Sequence, residues 1–342
     1  MASGISKLAA LLFVVPPVAA GALGYTAWAT DWKAVLQATI SGPNARTRLL
    51  ALLFVLFNLK SVPFSWTFRV FYAIFQHSLL RKPHELGPRA LFKPLIAKTH
   101  APLFEIDYNL HKTNSSYFAD LDISRSHIVS YLCARGTAAL ARNTQTKLVL
   151  DPKTGEPAKG ALGVVLGSVE CSFKREIPPF GRYETWSRIL AWDRKWLYVM
   201  THFVPRGAAK PAEWLDPKFK NVRTRGERDA AGDWEKKVYA SAVSKYVFKL
   251  DRYTIHPAIV LEASGLLPER PGGWIGGENQ TGDESVDLSD VDLSVEGEWD
   301  WRRVEAQRRR GMEMGGAFNS LDKMHGLFDG GDNGAIGTFG LG

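Results

Sequence analysis

Between Phe104 and Arg125 the chain changes period, and that change limits what the rest of it can build. Leu103, Glu105 and Asp107 alternate with Phe104 and Ile106, the period-two pattern of a strand end. From Tyr117 to about Arg135, Phe118, Leu121, Ile128, Val129 and Leu132 recur at helical spacing and share one broad face. The polar stretch between them, with Asn109, Lys112 and Thr113, reads as a loop. Asn114 or Ser115 stands where such a helix takes its N-cap. The first amides of a helix lack intrahelical acceptors and carry partial positive charge, and here a carboxylate, Asp107, lies just upstream. That pairing can polarise a carbonyl and attack or hydrate it.

Beyond the helix the period returns to two. Gly136 ends the helix or kinks it before Thr137–Arg142, and Asp151–Gly155 is turn chemistry. Leu162–Arg175 follows as a strand that Pro178-Pro179 stops. Tyr183–Trp192 and Lys195–Val204 form a hairpin about Asp193-Arg194, and Lys237–Leu250 alternates most clearly of all. One strand, one helix and at least four antiparallel strands make an α+β fold, an antiparallel sheet wrapped around a central helix.

The spacing of Asp107, His111, Asn114, Tyr117, Asp122 and Arg125 resembles the signature of hotdog-fold acyl-CoA thioesterases. The likeness is to the 4-hydroxybenzoyl-CoA-thioesterase-like branch, and within it to membrane-anchored thioesterase superfamily member six and its fungal relatives. Their pattern is roughly Asp-x-x-Gly-His-x-Asn-Asn-x-x-Tyr; here Leu110 replaces the Gly and Thr113 the first Asn. The resemblance covers about Lys98 to Leu267 and implies a hotdog fold. It further implies that Asp107 is the catalytic nucleophile or general base, with helix N-terminal amides holding the thioester oxygen. His111, Asn114, Ser115, Ser116 and Tyr117 then bind substrate or orient the loop, and Asp122 with Arg125 supports the helix. No cofactor or metal is implied. The expected partners are an acyl-CoA or acyl-carrier thioester and a second copy of the chain in a homodimer or higher homo-oligomer. A non-catalytic hotdog module binding acyl chains or partners at a membrane is the alternative, and a hotdog dehydratase a third reading.

The rest of the sequence sets the surroundings. Leu8–Ala29 is almost wholly apolar and long enough for a transmembrane anchor, giving an expected anchor over 1–45. A second apolar, membrane-proximal segment follows over 46–93, the thioesterase-like domain over 94–268, and a disordered acidic, then basic and Gly-rich tail over 269–342. A short helix is allowed near Trp299–Met314. The excess of basic residues after the first span places the catalytic domain in the cytosol, with a single- or two-pass chain in the endoplasmic reticulum and membrane lipid as a partner. The formal charge of +8 suits anionic partners, but no nucleic-acid motif accompanies it, so nucleic acid is not among them. Pro205–Glu235 is an unusually long basic insertion between two strands, fit to meet CoA phosphates or a membrane face. Cys133 and Cys171 read as buried thiols, with no disulfide framework. Neither a nucleophile elbow nor a phosphate-binding glycine loop occurs.

Overall fold

The apolar N-terminal runs break into short helices. In the computed structural model, which describes residues 21, 24–80, 85–222, 224, 234–275, 286–328 and 336, the chain parts after Val62 into two units. That boundary falls inside the segment expected over 46–93. The first unit holds α1 (Trp32–Ile40) and α2 (Ala45–Phe57), separated by Gly42, Pro43 and left-handed Asn44 (φ 62°). Pro63 and left-handed Phe64 (φ 66°) precede α3 (Ser65–Phe75) in the second unit. At 1.5 Å per residue α2 spans about 20 Å, short of the roughly 30 Å of a hydrocarbon layer. Among the described residues no helix is long and apolar enough to cross a membrane. This overturns the anchored reading: the single- or two-pass placement in the endoplasmic reticulum, the lipid partner and the likeness to membrane-anchored relatives in that respect. Of Leu8–Ala29, only residues 21 and 24–29 are described, and the rest of that run lies outside the described residues.

The period-two segments pair into one antiparallel sheet in the second unit. β1 (Leu95–His100), β2 (Leu162–Phe173), β3 (Arg182–Trp192), β4 (Leu197–Pro205) and β5 (Ala240–Leu250) lie in the order β1-β3-β4-β5-β2. A short β6 (Tyr253–Ile255) pairs with β5. The hairpin forms as read, with Trp192 opposite Leu197, and the Asp193 carboxylate accepts the Lys195 and Trp196 amides at its turn. β1 stops at His100 instead of running on to Ile106, because Pro102 has no amide to give a ladder; Leu103–Glu105 becomes a single 3₁₀ turn.

The sheet wraps α4 (Asn114–Leu132), the central helix, as the hotdog reading expects. Its buried face carries Tyr117, Leu121, Ile128 and Leu132, packed on Phe203, Tyr183 and Ala242 at one end and on Ile189, Trp192, Val199 and Phe248 at the other. Phe118 points outward. The helix breaks at Cys133, not Gly136, and α5 (Ala134–Ala141) follows. Gly136 has a packing role: a Cβ there would stand 2.0 Å from the Val260 carbonyl oxygen of α6 (Pro257–Ala263), so only glycine lets the two helices meet. Both cysteines are free, and burial pushes each thiol up to about 12.

The cap of α6 carries a pH dependence. His256 Nδ1 accepts the Ala258 amide at 3.1 Å, which requires the neutral ring. Burial, opposed in part by Asp193 and reinforced by Arg308 and Arg194, lowers its pKa from 6.5 to about 4. The unfolded ring therefore gains a proton first as pH falls. The stabilisation is whole above about pH 6.5 and is lost on the way down toward 4, amounting to on the order of 2–3 kcal/mol. His256→Asn keeps a capping acceptor and does not titrate. Urea unfolding at several pH values should show wild type weakening across that window and the variant flatter; equal slopes would count against this role.

The tail is not disordered throughout. Trp301–Ser320 forms α7, N-capped by Asp300, whose carboxylate accepts the Arg303 amide at 2.8 Å. The helix lies flat on β3: a Cβ on Gly311 would stand 2.1 Å from the Leu190 carbonyl oxygen. Val304 enters the main core and Phe318 packs with Tyr198. Arg308 donates to the Trp192 carbonyl at 2.9 Å and is neutralised by buried Glu305 at 2.8 Å. Glycines and arginines, which lower the hydropathy of this stretch, are its contact residues.

Candidate active site

The Asp107 loop is a tight turn held on both arms. Ile106 bridges Lys112, the Asp107 amide donates to the His111 carbonyl at 3.0 Å, and the Leu110 amide donates to the Asp107 carbonyl at 3.0 Å. Leu110 is left-handed (φ 61°). That is the position where the resembled pattern has glycine, so this chain keeps the backbone turn and accepts strain of about 1 kcal/mol. The Asp107 carboxylate accepts the Asn109 amide through Oδ1 at 2.9 Å. Its Oδ2 faces His111 Nδ1 at 3.7 Å, and the other side of that ring is 3.7 Å from Glu176 Oε1. The carboxylate is partly exposed and reachable by water.

The central helix begins beside this loop. Its N-cap is Thr113, not Asn114 or Ser115, and no side chain caps it. Thr113 Oγ1 instead lies 3.3 Å from Ser115 Oγ. Of the first amides, that of Ser116 donates to the Thr113 carbonyl at 3.0 Å, and the helix start carries its partial positive charge without a side-chain cap. Asn114 and Ser115 are exposed at this end. Ser116 turns inward, its hydroxyl donating to the Thr113 carbonyl and accepting from Lys112 Nζ, both at 2.8 Å. Tyr117 is buried against Phe173 and Phe203, and burial, with Cys171 and other nearby groups adding, pushes its hydroxyl pKa far above the usual range.

Beneath the loop lies a buried charge cluster the sequence reading missed. Lys112 Nζ, fully buried, is 2.5 Å from Glu105 Oε2 and 3.1 Å from Asp120 Oδ2, with the rings of Tyr117 and Tyr183 beside it. Asp120 also accepts from the Tyr183 hydroxyl and faces Arg69 Nη2 at 3.4 Å. Burial first, then the charges of Asp120 and Glu105, hold the Tyr183 hydroxyl protonated. Glu105 and Lys112 sit on the two arms of the Asp107 turn and Asp120 on the central helix, so the cluster pins loop to helix. Asp120 is thus the helix's buried anchor to the loop. Asp122 and Arg125 form an ion pair; Arg125 also donates to Ser244 Oγ at 2.7 Å, and Asp122 accepts the Trp66 indole at 3.1 Å. Together they tie the helix to β5 and α3, away from Asp107.

Residues 102–216 match the thioesterase-like superfamily. The chain is 34% identical over 279 residues to thioesterase poxG of Penicillium oxalicum, covering 80% of this chain and 83% of that one. It is 32% identical over 295 residues to probable thioesterase atnL of Emericella nidulans, covering 84% and 89% respectively. Among solved structures, the probable thioesterase YbaW of Escherichia coli aligns at a TM-score of 0.32 and 11% identity, over 50% of this chain and 97% of that one.

Proposed function

This chain belongs to the thioesterase-like superfamily and is a thioester hydrolase, and from that premise we propose that Asp107 is the carboxylate that cleaves an acyl-CoA or acyl-carrier thioester. The observation that carries this is the placement of a water-accessible carboxylate beside an uncapped helix N-terminus. The amides at the start of the central helix hold the thioester oxygen and draw charge onto it as the carbonyl carbon becomes tetrahedral. Asp107 either takes a proton from the water that adds to that carbon, and the departing thiolate takes it up, or adds itself and expels the thiolate. In the second case water then hydrolyses the aspartyl anhydride, freeing the acid and restoring the carboxylate. The Asn109 amide fixes Oδ1, which leaves Oδ2 for the reaction. His111 orients the turn from 3.7 Å, and Asn114 and Ser115 line the entrance.

The site also supports assembly with a second copy. Phe104, Tyr108 and Leu110 surround Asp107 with exposed apolar surface, and β2, at the sheet edge, exposes Val164, Val165 and Leu166. A homodimer would cover both.

The test of the activity is release of free thiol from a panel of acyl-CoA thioesters, aliphatic of graded length and aromatic. Turnover of at least one class is expected. A folded protein that releases thiol from none of them, nor from the matching acyl-carrier thioesters, sinks the reading.

A further inference from the structure

A cavity of about 760 Å³ lies on the other side of the central helix, bounded by α3, β1, β3 and residues 211–222. Neither Asp107 nor His111 lines it. Two of its walls, α3 and the 211–222 segment, come from the parts of the sequence that stand outside the sheet-on-helix plan: the second apolar segment and the long insertion. The segment is tied down over the cavity, since the Tyr131 hydroxyl donates to Asp216 Oδ2 at 2.7 Å.

The lining has two unlike sides. One is apolar and aromatic, with Ile96, Trp186, Trp214 and Phe219. The other is a polar stripe on the central helix: Asp120, Ser124, His127 and Tyr131 recur at four-, three- and four-residue steps and so share one face, about 16 Å long. Each member is anchored from outside the helix. Ser124 Oγ meets Ser187 Oγ at 2.6 Å, and His127 Nδ1 meets His77 Nε2 at 3.0 Å. A helix face of this composition turned toward a cavity is a poor core but a good wall for a ligand with oxygen atoms along one edge. Arg69, Lys93 and Lys98 are basic groups in the lining. Arg69 lines the cavity beside Asp120, and Lys98, on the edge strand, lines it without an ion pair among the described residues.

We propose that this cavity is a second binding site, distinct from the Asp107 loop, for an elongated amphipathic carboxylic acid. Its carboxylate sits at Arg69 and Lys98, its hydrocarbon lies on the aromatic wall, and its oxygen substituents meet Ser124, His127 and Tyr131. Ser124 keeps a hydroxyl lone pair for such a partner while holding its bond to Ser187. The ligand class is that of an acid product of thioester hydrolysis, but the site stands on its own geometry and does not require Asp107 to be catalytic.

The test uses the full chain and a fluorescent polyene fatty acid, cis-parinaric acid, displaced by oleic acid or by ricinoleic acid, the same chain with a hydroxyl. Saturable binding is expected, with ricinoleate about fivefold tighter than oleate, the worth of one hydrogen bond. Ala97→Trp and Ala212→Trp fill the cavity from the strand side and from the roof, and each should lower affinity at least about tenfold. Both should keep hydrolysis of a short-chain acyl-CoA, while Asp107→Asn should keep the binding. Lys98→Ala, at the surface, should weaken the probe several-fold and carries the test if a tryptophan variant fails to fold. The proposal is overturned by absence of saturable binding, by unchanged affinity in the folded tryptophan variants or in Lys98→Ala, or by oleate binding as tightly as ricinoleate. Binding that disappears only in Asp107→Asn also overturns it, since the probe would then occupy the catalytic loop.

Discussion

Asp107→Asn should fold normally and lose thioester hydrolysis by a factor on the order of 10²–10⁴, the span expected when a general base or its equivalent is removed. The fold should survive because the residue makes one side-chain hydrogen bond, from the Asn109 amide to Oδ1, and an asparagine oxygen can accept it equally well. What the substitution removes is the charge on the carboxylate, whose Oδ2 faces His111 Nδ1 at 3.7 Å. The loss should fall mainly on kcat, since the carboxylate acts as the carbonyl carbon becomes tetrahedral and contributes little to holding the acyl chain. His111→Ala is the comparison. At 3.7 Å its ring is beyond hydrogen-bond reach of Asp107, so its loss should cost about tenfold or less. Near wild-type turnover by Asp107→Asn on a verified substrate would remove Asp107 from the mechanism.

How far the sequence could show this site is decided by a few residues. The turn, its carboxylate and the following helix were legible because period-two and helical spacing meet there, and the hairpin was legible from Asp193-Arg194. The N-cap was misplaced by one or two residues, at Asn114 or Ser115 instead of Thr113, and the buried face of the helix was misread as well. Phe118 was placed on the apolar face but is exposed, while Tyr117, Asp120, Leu121 and Ser124 are the buried residues of the first turns. Asp120 then has to find a buried partner, and Lys112 is the cation within reach. Lys112 reads as a loop lysine because its charge hides its position opposite Ile106 in the bridge. The cavity was illegible for another reason: its walls are contributed by α3, β1 and residues 211–222, and no local pattern links segments so far apart in the chain. In α7 the sequence allowed only a short helix near Trp299–Met314; it runs on to Ser320, and its Gly311 and Arg308 serve as contacts with β3, a role their composition does not announce.

Lys112→Met tests the cluster that connects the loop to the helix, and it should be the most destabilising single change at the site. The side chain is fully buried, and methionine occupies nearly the same volume, so packing changes little. Electrostatics change greatly. Glu105 and Asp120, both buried, lose the cation between them, and Arg69 stands 3.4 Å from Asp120. Removing one partner from a buried ion cluster costs about 3–5 kcal/mol. Because Glu105 and Lys112 stand on the two arms of the Asp107 turn, turnover should fall along with stability. The pH dependence separates this cause from simple loss of packing. In the variant two desolvated carboxylates stand close together with less positive charge between them, and lowering the pH relieves that repulsion in the folded state. Urea unfolding should therefore show the gap between wild type and Lys112→Met narrowing from neutral to acidic pH, and Glu105→Gln added to the variant should recover part of the loss at neutral pH. A destabilisation below about 1 kcal/mol, or a gap that stays constant with pH, would mean that Lys112 holds the loop by its hydrocarbon stem and not by its charge.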